Sequence, residues 1–249
     1  MTYLMFQPLL LASADNIDFM IHGLFSYELF GQTVWITTSH VCILIVMLIL
    51  IGFAIAANRV LTAASPTDTP SGFQNVIELM IEGLTGIVSG SMGKATPRYF
   101  NYIATIFMFI LLSNISGLLG LRPPTADYGT TFALAIITFC LIHFAQFKHN
   151  SLKSIWTDMC SPLPPWLPIW FPINLISEIA VPISLSLRLF ANILSGTVIM
   201  ALVYGLLSGI AIAWPSFLHI YFDLFSGAIQ TYVFTMLTMT YIAQQLSDD

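Results

Sequence analysis

Arg188 stands in the run Pro182-Ile-Ser-Leu-Ser-Leu-Arg-Leu-Phe-Ala-Asn192 and is the only charged residue between Ile179 and Leu218. A guanidinium keeps its proton in any protein setting, so its charge is permanent. Holding that charge at membrane depth costs ~2.5–3.5 kcal/mol on insertion scales. A group retained there needs a partner or a task. The chemistry open to it is electrostatic: a fixed cation stabilises a nearby carboxylate that desolvation would otherwise drive to its neutral form.

The neighbours of Arg188 are patterned. Residues four apart share a helix face. Ser184, Arg188 and Asn192 keep that spacing, and Ser195, Gly196 and Thr197 follow. The last apolar segment repeats the design with His219, Asp223, Ser226, Gly227 and Gln230 at intervals of one, three or four. Glu178 lies ten residues before Arg188, and Asp223 has no acidic neighbour before Asp248. One Arg188–Asp223 ion pair would not require polar stripes along two helices. Small residues around the charges leave room for water or for another helix. The stripes are therefore expected to face water or another helix, and His219 is read either as an interfacial residue or as a proton relay. His143 is read as an interior histidine.

These residues need helices to position them. The chain has 249 residues, 57% hydrophobic and 8% charged, against about 25% charged in soluble domains. Mean hydropathy is +0.86. Several runs exceed the ~20 residues a helix needs to cross the hydrocarbon core. None shows the alternation of a membrane barrel strand. The class is an all-α polytopic membrane protein with about five membrane-spanning helices and an amphipathic surface helix. Seven Lys and Arg in the whole chain exclude nucleic acid as a partner. Cys42, Cys140 and Cys160 form no paired motif, and no metal or cofactor site is expected.

Residues 1–33, with Asp15, Asp18, His22 and Glu28, read as a pre-membrane segment. Residues 34–160 hold three spans: 34–57, closed by Arg59, then Tyr99–Leu121 and Thr130–Phe147. Between the first two, residues 71–93 read as an amphipathic helix. Ile77, Met80, Ile81, Leu84, Ile87, Val88 and Met92 share one face, and Ser71 with Gln74 forms a capping box. A polar loop with Lys148, His149 and Lys153 leads into a proline-rich stretch. Residues 161–249 form the ion-translocating pair. Asn174–Leu207 is broken only by Pro182, and Ser216–Leu246 follows a loop around Ser208–Pro215. Thirty-four helical residues make roughly 50 Å at 1.5 Å each, so the last two helices are expected to be long and strongly tilted, held so by a packing partner.

Basic residues set the orientation. Arg59, Lys94 and Arg98 fall in one loop, Lys148 and Lys153 in another. Five crossings put both loops in the cytoplasm, the N-terminus outside and the C-terminus inside. The first 58 residues carry no Lys or Arg, so no secretory or transit signal is read there. A bacterial inner membrane is expected, with an organellar inner membrane as the alternative.

The runs Pro172-Ile-Asn-Leu-Ile-Ser-Glu178 and Pro182 to Asn192 resemble the signature of subunit a of the F-type ATP synthase. Gly227-Ala-Ile-Gln230-Thr-Tyr-Val-Phe resembles that family's last helix. Asn114 and the stretch Thr125-Ala-Asp-Tyr-Gly-Thr-Thr131 fit as well. The chain departs from the family pattern at Val181, Ala191, Thr197 and Asp223. Thr197 takes a position that is acidic in some members, Asp223 one that is His or Glu in others, and the two vary together. The resemblance implies a non-catalytic stator subunit that conducts ions, H⁺ being the one expected. It also implies two half-channels to rotor-ring carboxylates, with c-ring and peripheral-stalk b subunits as partners beside the rest of the synthase and the bilayer. It assigns Arg188 as the essential cation facing the ring and Gln230 as its hydrogen-bond partner. Asp223, His219 and Asn114 would line the inlet and Glu178 the outlet, with Asn192 and Thr197 in support. A stand-alone ion-coupled secondary transporter is the alternative, although no internal repeat with matching broken helices is present. An intramembrane hydrolase lacks its motif: there is no H-E-x-x-H and no G-x-S-x-G.

Overall fold

The computed structural model describes residues 23–29, 32–64, 70–119, 123–160, 170–206 and 214–246. The chain is helical throughout these residues except for one antiparallel hairpin, β1 (Gly23–Leu29) and β2 (Gln32–Thr37), with Trp35 opposite Ser26. The hairpin delays the first membrane helix. α1 runs Thr38–Ala63, starting four residues later than expected and passing Arg59. Its outer surface, with Leu44, Leu48, Ile51 and Ile55 half exposed or more, is a lipid-facing one.

α2 (Gly72–Met92) matches the amphipathic pattern. Ser71 Oγ accepts the Gln74 amide at 3.3 Å, while the Gln74 side chain donates forward to Glu78 at 2.8 Å. Only half of the expected capping box therefore forms. Ile77, Val88 and Met92 are buried, whereas Ile81 faces out. Gly93, at φ +51°, lets the chain turn through a short 3₁₀ segment into α3 (Thr96–Ile115). A 3₁₀ turn, Pro124–Ala126, precedes α4 (Tyr128–His149), whose first turn is capped by Asp127 accepting the Gly129 amide at 3.0 Å. A nine-residue helix, α5 (Leu152–Cys160), occupies the segment expected to be a polar loop. Most of the proline-rich stretch lies outside the described residues, as does most of the loop around Ser208–Pro215.

α6 (Phe171–Leu206) has 36 residues and takes Pro182 within it. The last segment is composite: α7 (Trp214–His219), a π-helical stretch Ile220–Ser226, and α8 (Gly227–Leu246). Four helical segments are long and apolar enough to span a membrane: Thr38–Ala63, Gly72–Leu118, Tyr128–His149 and Phe171–Val203. α8 is richer in Thr and Gln and buries Gln230, Thr231, Thr235 and Thr238.

α4 and α6 run antiparallel, since Tyr128 stacks edge-on against Phe190 at 5.7 Å while His143 meets Glu178. α8 is antiparallel to both α3 and α6. Ile106, Ile110, Ala135, Leu185, Leu189 and Phe234 form one buried cluster among them, and Ile103, Ile142, Met239 and Ile242 belong to a second. Thr231, Thr235 and Thr238 are buried and return their hydroxyl protons to the carbonyls of Gly227, Thr231 and Phe234 at 2.8–2.9 Å. Such back-bonding satisfies a polar group in an apolar interior without a second helix.

Of the described glycines, Gly227 has the least room for a side chain. A Cβ there would lie 2.9 Å from Asn114 Cβ. Gly227→Ala is expected to destabilise the α3–α8 contact by about 1–3 kcal/mol, the usual cost of overpacking. A lowered unfolding temperature of the assembled complex measures it, and an unchanged one refutes the tight packing.

Candidate ion-translocation site

α6 carries the central residue. Ser184, Arg188, Ala191 and Ser195 are all exposed in the isolated chain, among the exposed side chains of Ile183, Leu187 and Leu194. Among the described residues Arg188 has neither a hydrogen bond nor an ion pair. The expected bond from Gln230 is absent. Gln230 is 7% exposed on the inner side of α8, and its Nε2 has no partner, whereas Arg188 points out from α6. An unpaired buried donor costs about 1–3 kcal/mol.

Asn192 sits half-buried and accepts the Ser226 hydroxyl at 3.1 Å. One turn further along α6, a Cβ on Gly196 would meet Phe222 at 3.5 Å. These two contacts fix the height of Asp223 on the bundle. It lies level with Asn192 and Gly196, roughly 6–12 Å along α6 from Arg188 at 1.5 Å per residue. Thr197 donates its hydroxyl to the Leu194 carbonyl at 2.8 Å.

Asp223 is the middle residue of the π-helical stretch. Its Oδ2 lies 3.0 Å from His219 Nδ1, with the carboxylate one-fifth exposed. A Cβ on Gly117 would sit 3.2 Å from Asp223 Cγ, so glycine is what lets the carboxylate reach the end of α3. Asn114 lies nearby and is 1% exposed. Its Nδ2 donates to the Gly227 carbonyl and to Thr231 Oγ1 at 3.0 and 3.2 Å, and its Oδ1 accepts the Thr125 hydroxyl at 2.7 Å. It therefore ties α3, the turn before α4, and α8 together beside Asp223. The sequence pointed to Asn114, to the stretch that begins at Thr125 and to the run that contains Thr231, but not to Gly117. The pairing of Thr125 with Asn114 has no local sequence signal, because it closes only in three dimensions.

Glu178 lies at the other end, roughly 15 Å along α6 from Arg188. Its Oε2 is 3.7 Å from His143 Nε2. His143 Nδ1 is 3.0 Å from the Phe139 carbonyl, which only accepts, so the proton on Nδ1 is committed there. Nε2 and the carboxylate then face each other at a separation longer than a direct hydrogen bond. A cavity of about 60 Å³ adjoins them, lined by Gln146, Val181, Tyr241 and Gln245. His143 thus joins the site instead of serving only as an interior group. The structure brings Arg188, Asn192, Asp223 and His219 to one region. It leaves Glu178 apart, with His143.

Membrane-depth charges pair or face water. Here each acid has a histidine and the cation has neither acid, which excludes a plain Arg188–Asp223 pair among the described residues. A bundle with a free cation on its outer face and a histidine–carboxylate pair to either side defines an ion-translocating membrane subunit. Comparison agrees. Residues 40–243 match the family model described as ATP synthase A chain. The chain is 34% identical over 201 residues to ATP synthase subunit a of Moorella thermoacetica, covering 80% of this chain and 86% of that one. It is 35% identical over 195 residues to the subunit a of Anoxybacillus flavithermus, covering 72% and 81%. It shares 35% over 195 residues with the sodium-ion-specific subunit a of Propionigenium modestum, covering 72% of this chain but 65% of that longer protein. The chain belongs to the ATP synthase subunit a family. Membership makes it the ion-conducting stator subunit of the membrane sector and displaces the transporter alternative.

Gly117→Ala tests the geometry around Asp223. A methyl 3.2–3.3 Å from the Asp223 carboxyl group and Pro123 must push the carboxylate aside. Ion-driven ATP synthesis in membrane vesicles is expected to fall several-fold while the complex assembles normally; an unchanged rate shows that the carboxylate position is immaterial.

Proposed function

We propose that Arg188 faces the carboxylates of a rotating c-ring and that ions reach and leave that ring through two separate half-channels. The observation that carries this reading is the free guanidinium on an exposed face of α6. A permanent cation displayed on an apolar surface is stable only when another chain brings an anion to it.

The cycle follows from desolvation. A ring carboxylate cannot turn into lipid while charged, because the apolar medium favours its neutral form. Opposite Arg188 it is charged. An ion arriving by way of Asp223 and His219 neutralises it, and the ring carries it through the bilayer. After nearly a full turn the ion departs past Glu178, with His143 as the adjoining base. Asn114 holds the helices that frame the inlet. Asn192 and Ser226 hold α6 to the π-helical stretch, and Thr197 lies at the inlet level. Arg188, between the two acids along α6, separates the half-channels electrostatically. Each charge crossing 100 mV supplies about 2.3 kcal/mol, so several must pass for each ATP made elsewhere in the complex. H⁺ is the ion favoured by two histidine–carboxylate pairs, since each has a place for a proton.

In this reading residues 161–249 form the ion-translocating tilted pair and α8 is the fifth crossing. Residues 34–160 are the supporting spans and residues 1–33 a pre-membrane segment. The N-terminus is outside, the C-terminus is cytoplasmic, and peripheral-stalk b subunits brace the outer helices. A bacterial inner membrane fits the basic-residue distribution.

Arg188→Ala is expected to abolish ion-driven ATP synthesis in inverted vesicles. Arg188→Lys should lose most of it, because an ammonium can shed its proton and lacks the planar fork. Normal synthesis by Arg188→Ala would falsify the mechanism. Asp223→Asn, by contrast, is expected to slow ion uptake at least tenfold with a normal yield of assembled complex. Failure of assembly would assign Asp223 a structural role.

A further inference from the structure

Away from the ion path, a cleft of about 670 Å³ opens where α2 turns into α3, beside the ends of α4 and α8. Lys94, Arg98 and His149 line it together with Met92, Ala95, Pro97, Ala243 and Leu246, with no acidic side chain among the described residues. The chain is acidic overall, with 12 Asp and Glu against 7 Lys and Arg. Two of those seven basic residues meeting in one cleft is therefore a concentrated positive charge. The left-handed backbone at Gly93 makes the turn that brings Lys94 to the first turn of α3. Arg98 Nη1 donates to His149 Nε2 at 2.9 Å. A nitrogen that accepts from a guanidinium carries no proton of its own, so His149 is neutral there. It orients Arg98 without adding charge. Lys94 and Arg98 themselves remain exposed.

We propose that this cleft binds the phosphate headgroup of an anionic phospholipid, with Lys94 and Arg98 on the phosphate and the apolar wall against the glycerol and upper acyl chain. The wall decides between occupants. Five of the eight lining residues are apolar, which suits a lipid and gives nothing to a free anion. The chain's own Ser247-Asp248-Asp249 follows Leu246 directly but has no apolar side chain to fill the wall. Basic clefts between membrane helices at the bilayer surface are suited to such headgroups. The site is independent of the rotor mechanism, so either can fail alone.

The test uses the complete synthase in phosphatidylcholine vesicles containing a tenth of phosphatidylglycerol that bears a photoactivatable acyl chain. Adducts are mapped by mass spectrometry. Labelling is expected on residues 92–98 and 243–246, to be competed by unlabelled phosphatidylglycerol, and to resist both extra phosphatidylcholine and millimolar inorganic phosphate. Lys94→Gln with Arg98→Gln should cut labelling there at least fivefold and leave adducts elsewhere unchanged; Arg98→Lys should retain most of it. The proposal is overturned by absent labelling, or by equal labelling in the double variant. It is also overturned by competition from inorganic phosphate alone, or by labelling that appears only after residues 247–249 are removed. The competition arms need only the unaltered chain, so a variant that fails to assemble does not decide the matter.

Discussion

The structure turns on a charge that no described residue neutralises. Arg188 cannot shed its proton, and both acids near enough in sequence to pair with it are engaged elsewhere. Asp223 is held by His219 and Glu178 lies beside His143. A fold seeking only stability would have closed an ion pair or substituted an apolar side chain, which is often as stable as a buried pair. This one presents the guanidinium outward, between exposed leucines and small residues. Small neighbours on that face matter as much as the charge. Ser184, Ala191 and Ser195 let an opposing helix approach closely enough for the guanidinium to be felt.

Close approach also builds the inner side of the site. Gly227 lets α8 rest on Asn114, Gly196 lets Phe222 rest on α6, and Gly117 leaves space for the Asp223 carboxyl. Each glycine serves by lacking a Cβ; the backbone at all three is ordinary. The π-helical stretch between Ile220 and Ser226 completes the arrangement. Its wider turn breaks the regular i to i+4 ladder, and such breaks recur at functional sites. Here the break lies between Phe222 against Gly196 and Gly227 against Asn114, so the segment touches α6 on one side and α3 on the other. Asn114 then spends its full amide on α8 and Thr125, fixing the frame around a carboxylate that stays partly exposed.

Hydrophobic periodicity made α2, α4 and α6 legible, because each is long and buries one face. The bounds of α2 and α6 fall within three residues of those read from the sequence. The stripe Arg188, Asn192, Gly196 was legible too, but its division was not. Asn192 and Gly196 turn inward to Ser226 and Phe222, while Arg188 turns out, and a spacing of four cannot show that a 3.6-residue turn separates them by drift. The hairpin before α1 was missed because it lies in a mixed segment with no clean alternation. α5 was missed because Lys148, His149 and Lys153 weighed toward a loop. The Gln230–Arg188 bond is absent because Gln230 is buried with its Nε2 unpartnered while Arg188 is exposed. The π-helical stretch has no compositional mark at all.

The placement of Asp223 follows from one packing contact. In the family resemblance, positions 197 and 223 exchange acidic character. Such an exchange preserves function only if both positions lie at one height and face one space. Gly196 against Phe222 brings the two positions close, since Thr197 and Asp223 are each the next residue after that contact on its helix. Thr197 then needs no partner, since its hydroxyl returns to the Leu194 carbonyl. Asp223 gains what a carboxylate on α6 would lack, a histidine one turn away on its own helix at 3.0 Å.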